Sequence, residues 1–183
     1  MIPGKYVKDY TLRETLGADG RSHMEPVYTG PVFRLRSGGE ALRRSRLRLL
    51  LWSAVCGAGV LAPLLVLTPA VRQWYVMGPL ALAILPAAML VRCTALLLRN
   101  ERFTRRERDT SVSALAPWSI VLLVLAALSL IGQVVFAAKN LYVPGDISVT
   151  LSAAALAAAG VRIFALRGAF AAEEVPEEPA AEQ

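Results

Sequence analysis

Hydrophobic positions in this chain gather into four blocks after a polar start. The blocks cover about 47–67, 74–98, 116–138 and 147–168. Uninterrupted apolar runs of about 20 residues are the signature of transmembrane helices. At 1.5 Å per residue the first block reaches roughly 30 Å, the thickness of a bilayer's hydrocarbon core. Thr68–Gln73 reads as one tight turn, and Lys139–Asp146, with Pro144-Gly145, as a second. Asp146 is placed to cap the fourth helix. Pro63 and Pro86 fall inside spans and are expected to kink them, because proline lacks the N–H that a helix interior needs.

The flanking segments carry a different pattern. In residues 1–37, Tyr6, Tyr10, Leu12 and Leu16 occupy even positions, Gly17-Ala18-Asp19-Gly20 follows, and Met24, Tyr28 and Val32 resume the even spacing. Alternation around an Asp-Gly turn predicts a β-hairpin. Pro26 and Pro31 cannot donate to a ladder, so the second strand should be an edge. A piece this small cannot bury a core alone and is expected to rest on the membrane domain, the head groups or a partner. Ser37-Gly-Gly-Glu40 fits a capping box. The helix it opens should run without a breaker through a basic stretch into the first block. Residues 169–183, acidic and proline-containing, read as a disordered tail. The predicted fold is therefore an all-α integral membrane protein. It has four transmembrane helices in two tandem helical hairpins, over residues 38–168, and a small N-terminal cytoplasmic β-hairpin-like region.

Charge sets the expected orientation. Of 183 residues, 55% are hydrophobic and 19% charged, with 20 Lys and Arg against 14 Asp and Glu. Such an excess in a soluble protein suggests nucleic acid. Here the arginines flank apolar blocks, so no nucleic-acid partner is expected and the bilayer is. Arg43, Arg44, Arg46, Arg48, Arg99, Arg102, Arg105, Arg106, Arg108 and Arg167 collect on one side, against Arg72 and Lys139 on the other. The positive-inside rule then puts both termini and the central loop in the cytoplasm, with two short loops outside. Trp74 and Tyr142 would lie at the outer interface and Trp118 near the inner one. Abundant Ala, and Arg in place of Lys, are the usage of a GC-rich genome and point to a bacterial inner membrane. A polar start argues against a cleavable signal peptide.

The stretch 99–109 is the one charged interruption in the middle of the apolar region. It divides two segments that resemble each other. Trp52-Ser-Ala-Val55 opens the first span and Trp118-Ser-Ile-Val121 the third. Val91-Arg-Cys-Thr-Ala-Leu96 closes the second and Val161-Arg-Ile-Phe-Ala-Leu166 the fourth. The order and near-equal offsets suggest duplicated hairpins related by an axis along the membrane normal.

Candidate chemistry is sparse. Arg92 and Arg162 are the charges inside spans. Either each snorkels to the head groups, or they share a basic pocket for an anionic lipid phosphate or an acidic partner residue. Arg99, Arg102, Arg105, Arg106 and Arg108 extend that basic surface. No Asp or Glu lies within a span and the only His is His23, which argues against a proton-driven carrier. Ser129 and Gln133, four apart on one helix face, should make an interhelical hydrogen bond; the alternative is a polar patch on a substrate path. Cys56 and Cys93 read as free packing residues. Ser53, Gly57 and Gly59, and the small residues from Ser152 to Gly160, favour close helix packing, within the chain, with a partner membrane protein or in self-association. No catalytic set, metal motif, P-loop or other cofactor motif is visible. The expectation is a non-enzymatic interaction or accessory subunit with a basic cytoplasmic face. The alternatives are a small transporter or channel component, as a homodimer for instance, and, third, a lipid enzyme.

Overall fold

A computed structural model describes residues 4–16, 22–36, 38–66, 68–139 and 143–175. Four helices are long and apolar enough to cross a membrane. The first is α1 (Gly39–Leu61), continued by a 3-10 turn at Ala62–Leu65. The second is split into α2 (Trp74–Leu82) and α3 (Ile84–Arg99). The third and fourth are α5 (Val112–Lys139) and α6 (Asp146–Leu166).

The prolines act where their chemistry requires. Pro86 lacks the N–H that would bond the Leu82 carbonyl, and the helix breaks at Ala83, directly after Leu82. At Pro63 the α-helix tightens to the 3-10 turn that ends the first span. The bundle is a ring in which α1 packs on α3 and α6, and α5 packs on α6, α2 and α3. Small residues set the close approaches. A Cβ added at Gly59 would come within 3.0 Å of the Leu156 side chain, one at Gly160 within 3.1 Å of the Ser119 carbonyl, and one at Gly132 would strike the Tyr75 carbonyl. Gly57, expected to share this role, has no such neighbour. These faces are satisfied within the chain. Ser53 and Thr94 hydroxyls meet at 2.6 Å between α1 and α3, and Ser129 donates to the Val76 carbonyl at 3.0 Å between α5 and α2.

The charged end of the bundle differs most from expectation. The N-terminal region does form an antiparallel hairpin, β1 (Tyr10–Leu16) with β2 (Ser22–Tyr28), pairing Tyr10 with Tyr28 and Leu16 with Ser22. Its expected turn, 17–20, lies outside the described residues. The central loop is not simply solvated charge. It holds β4 (Arg102–Thr104) and α4 (Arg105–Thr110). The stretch from residue 169 is not wholly tail either, since Ala172–Val175 form β5; residues 176–183 lie outside the described residues. With β3 (Val32–Leu35) these make one antiparallel sheet in the order β4-β3-β5. Phe33 pairs with Phe103 on one side and with Glu174 on the other. Phe33, Leu35, Phe103 and Phe170 are buried and continuous with the bundle core.

Capping also differs. Ser37 is outside the described residues, and α1 starts after Gly38 with no side-chain cap, its Glu40 instead pairing with Arg44 at 2.6 Å. A complete capping box occurs in the central loop. Thr104 Oγ1 accepts from the Glu107 N–H at 3.3 Å, and the Glu107 carboxylate accepts from the Thr104 N–H at 2.9 Å. At the opposite end Asp146 is the first residue of α6 and fully buried. Its carboxylate accepts from the N–H groups of Val143 (3.2 Å) and Ala70 (3.4 Å), tying the two short turns together.

Phe103 is 0% exposed. Phe103→Ala should cost about 3–5 kcal/mol, the range for large-to-small changes in a packed core. The loss would be read as unfolding free energy in mixed micelles. Amide exchange should rise together at residues 32–35 and 172–175. Unchanged protection at 172–175 would show that β5 holds without this ring.

Candidate functional site

Three segments distant in sequence converge on the charged end, and side-chain chemistry fastens them. A 3-10 turn at Gly4–Asp9 lies against α4. Lys5 Nζ meets the Asp109 carboxylate at 2.8 Å, and the Tyr6 hydroxyl donates to the same oxygen at 3.1 Å. Partial burial works against ionisation of Asp109, but the hydrogen bonds from Lys5 and Tyr6 outweigh it and hold its pKa below the ordinary carboxylate value. The hydrogen bond and charge of Asp109 raise the pKa of Lys5 in return. The Tyr28 hydroxyl, raised by burial, donates to the Pro31 carbonyl at 2.8 Å and accepts the Arg105 N–H at 3.0 Å. Gly30 lets the chain pass here, since an added Cβ would come within 2.7 Å of the Asp9 Cβ and 2.8 Å of the Tyr28 oxygen.

The loop arginines divide by role. Arg105 approaches Asp9 at 3.7 Å, and Arg108 lies over the Phe33 ring at 4.2 Å and reaches Asp109 at 3.3 Å. These two hold the cap together. Arg99, Arg102 and Arg106 are exposed. Arg102 pairs across the sheet with Arg34, whose other neighbour is Glu173.

Arg92 and Arg162 are both exposed and are not brought together. They stand on α3 and α6, which lie diagonally across the ring. Arg162 instead shares a groove of about 430 Å³ with Arg48, Trp52, Ala165 and Leu166, between α1 and α6. A second recess, about 390 Å³, opens beside the start of α1, where Arg34 and Arg36 are balanced by Glu101, Glu173 and Glu174. A third, about 350 Å³ and apolar, lies between α2 and α5, with Trp74, Tyr75 and Pro79 facing Leu128 and Ile131. Cys56 and Cys93 are buried free thiols. Among the described residues no group of three His, Cys, Asp or Glu side chains could hold a metal ion. The described surface carries exposed charges and exposed apolar side chains.

Gln133 departs from its expected role. It is 3% exposed, and neither its amide nitrogen nor its oxygen has a hydrogen-bond partner, while Ser129 bonds α2 without it.

The sequence carried signals for part of this site. Phe103 is a lone aromatic within the arginine loop, and Thr104-x-x-Glu107 is a readable capping box. The pairing of Arg48 with Arg162 had no local signal, because it depends on how α6 docks on α1. No family model, curated protein or solved structure matches this chain.

The Lys5–Asp109 contact should respond to pH at both ends. The lowered pKa of Asp109 contributes stability that is present above the unfolded carboxylate value and lost as pH falls through the folded one. The raised pKa of Lys5 contributes below the unfolded ammonium value and is lost as pH rises through the folded one. Tyr6 ring resonances should therefore move as pH falls below about 4. Asp109→Asn should give the displaced position at neutral pH. A ring signal unmoved both in acid and by this substitution would show that the turn is held by other contacts.

Gln133→Met keeps the volume and removes both orphan atoms. It should leave stability unchanged or raise it, by about 1–3 kcal/mol at most, the cost of a buried unsatisfied polar group. Chemical unfolding in mixed micelles measures this. A clear loss of stability would mean that the amide has partners in the folded protein.

Proposed function

We propose that this chain is a non-enzymatic, multi-pass protein of a bacterial cell membrane that acts as an interaction or accessory subunit. Its termini and the β4-β3-β5 cap lie in the cytoplasm. The arginine asymmetry between the two ends supports that orientation.

The observation that carries the reading is the β1–β2 ribbon. It is fastened at its stem, where the Tyr10 and Tyr28 rings meet edge-on at 5.2 Å and the Thr29 N–H donates to the Asp9 carbonyl at 2.9 Å. Beyond the stem, two large apolar side chains of the ribbon are uncovered. Leu12 is 69% exposed and Met24 68%, and they lie on one face of the ribbon with Pro26. A two-stranded ribbon without a third layer is marginal in water. A partner that covers the Leu12–Met24 face, or adds a strand to an open edge, would supply what the chain lacks. The sheet beneath fixes the ribbon relative to both halves of the bundle, so a partner there would register the position of both.

A second reading, a small transporter or channel component, draws on Gln133. A buried, unpaired amide within the bundle is what a polar path through it would need.

The test is purification of the full chain from its native membrane in a mild detergent, followed by mass spectrometry of bound proteins. A stoichiometric partner is expected, and Leu12→Glu with Met24→Glu should release it while thermal unfolding of the bundle stays unchanged. An impermeant thiol reagent applied to intact cells should leave an Arg106→Cys variant unlabelled. A chain that purifies alone, or labelling of that variant from outside, would overturn the proposal. A self-associated form that conducts solute after reconstitution would favour the second reading.

A further inference from the structure

The groove between α1 and α6 places two guanidinium groups in one recess with an indole and no carboxylate. Arg48 and Trp52 come from α1, and Arg162, Ala165 and Leu166 from α6. Gly59 packing on Leu156 sets these helices close together about two turns from Trp52 and three from Arg48, and fixes the register that brings Arg48 level with the end of α6. Among the described residues neither Arg48 nor Arg162 has an ion-pair or hydrogen-bond partner. Arg44, Arg36 and Arg105 nearby are paired with Glu40, Glu173 and Asp9. Arg167, one turn past Arg162, is occupied by the Phe164 ring at 3.7 Å.

Depth matters as much as charge. Arg162 stands about 6 Å, at 1.5 Å per residue, before the end of α6. Arg48 stands at the start of the apolar part of α1, and Trp52 is one turn deeper. That is the level where indoles settle and where arginines reach for phosphate. Leu51 and Val161, next in sequence to Trp52 and Arg162, are exposed apolar residues of the same two helices. Two like charges facing one recess repel each other, and the repulsion turns to attraction when an anion sits between them. Guanidinium groups suit a phosphodiester, since each can bond two of its oxygens at once. The volume falls in the roughly 300–1,000 Å³ range of small-molecule sites.

We propose that this groove binds a phosphate-bearing anion between Arg48 and Arg162, and that its source is the head group of an anionic phospholipid whose acyl chains lie along the exposed apolar residues of α1 and α6. The site needs the membrane placement of the helices and is independent of the accessory role. Its failure would leave that role standing, and the converse holds.

The experiment is native mass spectrometry of the full chain, stripped of lipid in detergent and titrated with phosphatidylglycerol or phosphatidylcholine. One phosphatidylglycerol per chain should be retained, at least tenfold more tightly than phosphatidylcholine. Arg48→Gln with Arg162→Gln should weaken retention at least tenfold. Arg43→Gln with Arg106→Gln, the same charge change outside the groove, should not. Arg48→Lys with Arg162→Lys should fall between, because charge remains without the planar fork. Thermal unfolding of each variant checks that it is folded, and the Lys pair carries the test if the Gln pair is not. Equal retention by the folded Gln or Lys pair and the unaltered chain, an equal loss in the control pair, or equal binding of phosphatidylcholine would each overturn the site. Displacement by millimolar inorganic phosphate would overturn the lipid as source and assign the groove to a soluble phosphate.

Discussion

The structure depends on the backbone pairing of Phe33 with Phe103 and Glu174. These hydrogen bonds bring the N-terminal segment, the central loop and the C-terminal segment into one sheet. Each belongs to a different part of the bundle. β3 leads into α1, β4 follows α3 and precedes α5, and β5 follows α6. Closing loops of that length costs entropy that grows only slowly with their size, and the buried rings of Phe33, Phe103 and Phe170 oppose it. The sheet therefore joins the ends of both hairpins. Rotation of one against the other would have to break backbone pairs and expose aromatic surface together.

The two ends of the bundle solve the same problem differently. Backbone groups at helix ends lack partners and must find them elsewhere. At the charged end the sheet and the Thr104–Glu107 box supply those partners, and the hydroxyl of Ser111 returns to the Glu107 carbonyl at 2.6 Å. At the opposite end one buried carboxylate does so, with Asp146 accepting from both short turns. Gly145 lies against the Thr68 side chain there, which leaves Asp146 close to the first turn. A carboxylate without those N–H groups would be costly in such a place. Asp146 is thus a structural clasp between the two short turns.

How far the sequence foretold this follows from the physics of each part. Four helices were legible because continuous apolar runs leave few alternatives, and Pro63 and Pro86 marked where two of them yield. The β-hairpin was legible from alternation around Asp19-Gly20. The sheet was not. β4 and β5 have three and four residues, too few for periodicity, and their arginines and glutamates read as solvated charge. Only tertiary pairing gives such segments a strand's conformation. The same limit applied to the arginines. Their positions on the charged side were readable, but whether Arg162 would face Arg92 or Arg48 depends on helix adjacency. Small residues at Gly59 and Gly160 announced close packing without naming the neighbour.

The hairpin resemblance shows how a near-symmetric bundle comes to carry one basic groove. The ring places α1 opposite α5 and α3 opposite α6, the arrangement that a two-fold axis along the helices would give. Ser53 and Ser119, in the matching Trp-Ser pairs, are both buried against the return helix of their own hairpin, at Thr94 and Gly160. Arg92 and Arg162 then occupy corresponding positions. The offset that carries Trp52 to Trp118, however, carries Arg48 to Ala114. At the corresponding positions on α3 and α5 stand one guanidinium, Arg92, and one indole, Trp118, where the α1–α6 groove has two guanidiniums and an indole. A single arginine can be satisfied by snorkelling to water and head groups alone. Two arginines facing one recess repel each other, so the asymmetry at position 48 sets the proposed lipid site in the α1–α6 groove and not on the other side of the bundle.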